Sequence, residues 1–132
     1  MSAIERIQKK LQDDPSVRLF SVCGYTVTVE APNADGFAVW LTEKRPGFTV
    51  GFDGWHEEFE DEEEALSAVA FGLSGECRLK VVQRGATDCS WTVESLVDGE
   101  WCEDSTTGMV LIPFWRKKRV VYRRNRGMGG GQ

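Results

Sequence analysis

Histidine occurs once in the 132 residues, at His56, which excludes any site built from several histidines of one chain. The four cysteines, Cys23, Cys77, Cys89 and Cys102, form no C-x-x-C pair. A zinc site would have to assemble from separate strands without paired ligands, so the four read as buried thiols acting as small apolar side chains. No apolar run approaches the ~20 residues of a membrane helix. The longest, MVLIPFW, covers Met109 to Trp115. The opening MSAIERIQKKLQDD has neither a long apolar stretch nor a small-residue cleavage site. No signal peptide is therefore expected, and a cytoplasmic location is the default. There is no G-x-S-x-G elbow and no phosphate-cradling glycine motif. HEEFE lacks the second histidine of H-E-x-x-H, and DGWHEEFEDEEE lacks the alternating oxygens and central glycine of a calcium loop. The expectation is a chain without metal or cofactor and without a catalytic role.

Acid is missing from the C-terminal end. All 21 Asp and Glu precede residue 105. Residues 1–115 carry nine Lys and Arg against them, a balance of −12, and residues 116–132 carry +7, which together give the net −5. Such asymmetry points to an interaction surface, or to one part of the chain neutralising another.

What is present argues for folding. Apolar residues make up 41% and charged residues 28% of a chain of single-domain length. Ser2 and Glu5 have capping-box spacing, Ile4, Ile7 and Leu11 follow at helical spacing, and Asp14-Pro15 ends the helix. The period then falls to two. YTVTVE, FAVWLTE, FTVGF and WHEEFE read as strands, with Asp53-Gly54 as a two-residue hairpin turn of type I′. Asp61 and Glu64 have capping-box spacing ahead of Leu66, Val69, Ala70 and Leu73, a second helix ending at Gly72 and Gly75. CRLKVVQRG, CSWTVESLV, EWCED, MVLIPFW and RVVYRR read as further strands, with a second hairpin at Asp98-Gly99. Short connections imply antiparallel neighbours. The expected fold is α+β: a single domain over residues 1–126, one curved antiparallel sheet of about seven to nine strands with two helices packed on it. Residues 127–132 read as a disordered, glycine-rich tail.

Three surfaces are candidates. From Asp53 to Glu64, eight of twelve residues are acidic. Acids in the first turn of a helix oppose its positive dipole end, and acids on an edge strand guard against aggregation, so a structural role is sufficient for them. Their functional reading is a patch of Glu57, Glu58, Glu60 and Glu62 for a basic protein partner. Trp40, out of phase with Phe37, Val39 and Leu41, and Trp55 would be its aromatic anchors. Trp91, Trp101 and Trp115 are assigned to packing, with Trp101 placed to pair across strands with Leu96. His56 is the second candidate, a general base oriented by Glu58 in a small-molecule-binding or hydrolytic domain. The third is the basic segment Arg116, Lys117, Lys118, Arg119, Arg123, Arg124 and Arg126, interleaved with Phe114, Trp115 and Tyr122, as nucleic-acid binding requires. Equally, Lys118 to Arg124 can be a packed strand. Val120 and Tyr122 would face one way and Arg119, Val121 and Arg123 the other, neutralising the acids from Glu57 to Glu64 in the same chain or in a symmetric copy. A membrane patch lacks any lipidation signal or amphipathic helix beside it. The leading expectation is a protein-binding domain, with nucleic-acid binding as the alternative.

Overall fold

The computed structural model describes residues 3–13, 20–44, 46–109 and 112–125. Ser2 of the first capping box, the Asp14-Pro15 stop, Arg126 and the segment 127–132 lie outside the described residues. The order of elements is α1 (Ala3–Gln12), β1 (Phe20–Cys23), β2 (Thr26–Val29), β3 (Val39–Glu43), β4 (Phe48–Phe52), β5 (Trp55–Phe59), α2 (Glu62–Leu73), β6 (Cys77–Arg84), β7 (Thr87–Val97), β8 (Glu100–Gly108) and β9 (Lys118–Arg124). No helix among the described residues is long and apolar enough to cross a membrane.

The α+β class agrees with expectation, as do the two helices among the described residues, but the nine strands described form two antiparallel sheets, not one. A five-stranded meander runs β1-β2-β3-β4-β5, and a four-stranded sheet runs β8-β7-β6-β9. The break falls at α2. This helix separates β5 from β6, so β5 bonds only to β4, and β6 bonds to β7 and β9. Period-two patterning identifies strands but carries no information about which neighbours they choose across an inserted helix.

One apolar cluster joins the two sheets. Ile4, Ile7 and Leu11 of α1 pack on it with Val27 and Val29 of β2, Val39 and Leu41 of β3, and Phe48, Val50 and Phe52 of β4. Ala65 and Val69 of α2 join it, as do Cys77, Leu79 and Val81 of β6 and Val93 of β7. Alternation decides which side chains enter. In β6 every second residue is buried, beginning with Cys77.

Turns follow the glycines, with one difference. At the β7–β8 hairpin both Asp98 (φ 51°) and Gly99 (φ 82°) are left-handed, as a type I′ turn requires. At the β4–β5 hairpin only Asp53 is (φ 49°). Gly54 is there for space, since a Cβ on it would stand 2.3 Å from the Trp91 indole. Asp61 does cap α2 by position, but its side chain makes no capping bond, so the expected box with Glu64 does not form. The expected MVLIPFW strand is not found among the described residues: Ile112 and Pro113 are irregular and Phe114-Trp115 is a turn. The Pro113 carbonyl accepts from the Arg116 N–H at 3.0 Å. Proline donates no ladder bond, which favours this turn over a strand. Conversely β1 was not expected. Two cysteines also depart from the buried expectation, since Cys23 and Cys102 are exposed while Cys77 and Cys89 are buried. Burial pushes the Cys77 thiol up to about 12.

The end of β9 is fastened by a buried amide. The fully buried Asn125 accepts from the Phe37 N–H through Oδ1 at 2.8 Å and donates through Nδ2 to the Gly72 carbonyl at 3.0 Å. It thereby ties β9 to the approach to β3 and to the last turn of α2. Gly36 leaves room for it, because a Cβ there would lie 2.5 Å from Asn125 Oδ1. Beside it, the Arg124 N–H donates to the Asp35 carbonyl at 2.8 Å, and its Nε donates to the Gly75 carbonyl at 2.7 Å. Asn125→Ala leaves a donor and an acceptor buried without partners. It is expected to destabilise the fold by about 2–4 kcal/mol, read as a lowered urea midpoint at unchanged slope.

Candidate functional site

Strand geometry divides the acidic strip. Glu57 shares its face of β5 with Trp55 and Phe59, while Glu58 points the other way with His56, opposite Thr49 and Gly51 of β4. Two of the four acids are paired inside the chain. Lys44 Nζ bonds Glu58 Oε1, and this contact holds the Glu58 carboxyl below the usual range. Arg6 grips Glu62 with both arms, Nε to Oε2 at 3.0 Å and Nη2 to Oε1 at 2.5 Å, and depresses its carboxyl likewise. Glu57 and Glu60 are exposed and form no ion pair among the described residues.

The proposed anchors are not surface groups of this strip. Trp55 is 5% exposed, stacks on Phe52 with centroids 4.7 Å apart, and donates Nε1 to Ser105 Oγ at 3.0 Å. The second sheet covers it, so Trp55 is a core residue and not an exposed anchor. Trp40 lies on the face opposite the core, as its phase predicted, but half-buried. It sits across Gly51, where a Cβ would fall 1.9 Å from the ring, and donates Nε1 to the Asp53 carbonyl at 3.1 Å.

His56 is exposed on the same outer face. Its main chain meets Thr107 Oγ1, while its ring makes no hydrogen bond among the described residues. Glu58, its expected orienting group, is engaged by Lys44. Among the described residues neither a cysteine nor a serine is hydrogen-bonded to the ring.

The basic segment is the last strand of the second sheet, and its two faces have different tasks. On the inner face Val121 packs against the core. Arg119 donates to Gln83 Oε1 through Nε at 3.1 Å and Nη2 at 2.9 Å. Arg123 bridges Asp53 at 2.7 Å and Asp88 at 2.9 Å. The carboxylates that β9 neutralises are therefore Asp53 and Asp88, not the acids from Glu57 to Glu64. On the outer face β9 presents Lys118, Val120, Tyr122 and Arg124, in register with Arg84, Val82, Lys80 and Arg78 of β6. Arg78 lies between two rings, 4.2 Å from the Tyr122 centroid and 4.6 Å from that of Trp101, and its Nε bonds the buried Glu94 at 2.5 Å. Trp101 sits opposite Leu96, as expected, and also carries Arg124 at 5.1 Å. Lys80 pairs with Glu103 at 3.2 Å.

Where this face ends, the turn before β9 projects Phe114 and Trp115, 75% and 72% exposed. Their rings are 5.7 Å apart at 76°. Trp115 was assigned to packing, and the structure places it outside. The turn is braced by the β6–β7 hairpin: the Gly85 N–H donates to the Lys117 carbonyl at 3.0 Å, and Arg84 Nη1 donates to the Arg116 carbonyl at 3.4 Å. A Cβ on Gly85 would lie 2.8 Å from Arg116 Cδ, so the glycine permits the close approach. Arg84 and Arg78 were missed by the sequence reading, though the alternation of CRLKVVQR places Arg78, Lys80 and Arg84 on one face.

The Arg6–Glu62 pair has a pH signature. Because the folded Glu62 carboxyl is depressed, the pair stabilises the fold above the unfolded carboxyl pKa of about 4.3 and is lost as pH falls through the lower folded value. Arg6→Gln should return Glu62 toward the ordinary carboxylate range in a carboxyl-carbon NMR titration. Its denaturation midpoint should lie below that of the parent at neutral pH and converge with it as pH falls through the depressed Glu62 value.

Comparison with known proteins finds no matching family model, no similar curated protein and no similar solved structure, so a functional assignment rests on this chain's own geometry.

Proposed function

We propose that the chain is a non-catalytic binding domain that engages nucleic acid through the outer face of β6 and β9 and the turn before β9. One observation carries this reading. Arg84, Arg116, Lys117, Lys118 and Arg124 have no carboxylate within ion-pair distance among the described residues, although the chain as a whole is acidic. Cations left without acids on one sheet face match a phosphate backbone, whose condensed counterions are released on binding.

The acidic balance of the rest of the chain does not forbid this. The acids that reach this face are already matched by its own cations: Glu94 bonds Arg78, and Glu103 of β8 reaches across to Lys80. Tyr122, half exposed on the same face, adds apolar ring surface among the cations.

Fluorescence anisotropy with labelled oligonucleotides checks the reading. The full chain should bind with an affinity that falls steeply with salt, a log–log slope of about −3 for four or five phosphate contacts. Lys117→Glu with Lys118→Glu should weaken binding about tenfold or more and flatten that slope, with the melting temperature unchanged because both side chains are exposed. Absence of salt-sensitive binding by the full chain would discard this function.

A second reading keeps the acidic strip. It is favoured by Glu57 and Glu60, exposed on and just after an edge strand and without an ion pair among the described residues. These two would meet a basic protein partner without the tryptophan anchors. Glu57→Lys with Glu60→Lys is expected to abolish capture of that partner in pull-downs while circular dichroism stays unchanged; equal capture by parent and variant removes the reading.

A further inference from the structure

We infer that the site takes strands with unpaired bases, and that Phe114 and Trp115 are the residues on which those bases stack. This rests on the nucleic-acid reading above and narrows it. The sheet-face cations alone would hold any phosphate backbone, duplex or single. The turn adds something that a backbone does not need: two large aromatic side chains, each about three-quarters exposed (75% and 72%), on one short braced segment. Aromatic surface of this size left in water marks a contact site. The rings meet edge to face, so each keeps a free π-surface instead of covering its neighbour.

Their position supplies the rest. Arg116, Lys117 and Lys118 follow Trp115 directly, within three residues or about 11 Å of extended chain. A nucleotide stacked on Trp115 therefore has its flanking phosphates within reach of those cations. The turn is tied to Gly85 and Arg84 of the β6–β7 hairpin, which fixes the rings at the end of the cationic face. Trp101 and Tyr122 are differently placed, since Arg78 occupies the space between them. Bases within a duplex are already stacked on one another, and extruding one costs free energy, so the Phe114–Trp115 pair discriminates in favour of single strands.

Cations beside exposed aromatics also suit an anionic lipid surface, and the test separates the two. The full chain is titrated into a labelled single-stranded 12-mer, the same 12-mer with abasic sites at its centre, the matching duplex, and vesicles of phosphatidylcholine with or without phosphatidylserine. The expected order at physiological salt is intact single strand tightest, by about tenfold or more over both the duplex and the abasic strand, with quenched tryptophan emission. Phe114→Ala with Trp115→Ala should remove that advantage while leaving the salt slope and the abasic-strand affinity as they were. Salt-dependent binding that does not distinguish single strand, abasic strand and duplex overturns the stacking inference and leaves the nucleic-acid reading standing. Tighter association with phosphatidylserine vesicles than with the single strand overturns it in favour of lipid. No binding to any oligonucleotide overturns the reading beneath it. The abasic comparison uses the parent chain alone, so it decides the matter even where the double variant folds poorly.

Discussion

The second sheet depends on one buried amide. Asn125 reaches two backbone groups that no ladder bond serves, the Phe37 N–H and the Gly72 carbonyl. Both lie where an element begins or ends, which is where helices and strands leave orphan groups. Because the two belong to the approach to β3 and the end of α2, satisfying them from one side chain fixes the C-terminal end of β9 against the five-stranded sheet. Once that end is fixed, β9 pairs with β6 along its whole length, Arg123 falls between Asp53 and Asp88, and Val121 seals the core edge. Gly36 and Gly72 are constrained by the same assembly: a Cβ on the first would meet Asn125, and one on the second would meet the Phe52 ring at 2.3 Å.

Strand periodicity then sorts the basic segment. A fold role and a binding role for these cations are alternatives only if all of them face one way. In a strand they cannot. Arg119 and Arg123 turn inward to Gln83, Asp53 and Asp88, while Lys118 and Arg124 turn outward with Tyr122. The inward set makes the strand part of the fold; the outward cations Lys118 and Arg124 have no carboxylate partner among the described residues. Net charge hides this division. A chain of −5 still presents a cationic face, because its acids are sorted by the same rule onto other strands and onto the first turn of α2.

Much of this was legible in local pattern. Alternation located β2 to β7 and gave the facing of Trp40, of the Leu96–Trp101 pair and of β9. Apolar spacing located both helices. What escaped depends on partners distant in sequence. Trp55 alternates correctly, yet its burial comes from Ser105 and the second sheet, some fifty residues away. Asn125 sits among cations in a tail rich in glycine, and nothing local marks an asparagine as the most deeply buried polar residue. MVLIPFW is apolar enough for a strand, but Pro113 interrupts its donors and the Gly85 hairpin holds the following residues as a turn. The Asp53-Gly54 signal identified the hairpin correctly and its turn type wrongly, because Gly54 answers to the Trp91 indole, not to backbone torsion.

The two aromatic groupings of the second sheet and of the turn before β9 show why pattern alone cannot rank candidate sites. Half-buried Trp101 and half-exposed Tyr122 look like a recognition pair, since both lie beside arginines on the outer face of the sheet. Their rings nevertheless hold Arg78, which is itself anchored by the buried carboxylate of Glu94. Removing Arg78 from between them would strand that carboxylate without a partner, a cost larger than stacking one base returns. Phe114 and Trp115 carry no such occupant. Among the described residues their ring partner is each other, and the cations that follow them are exposed. Availability, more than composition, distinguishes the end of the sheet from its middle as the place for the stacking proposed above.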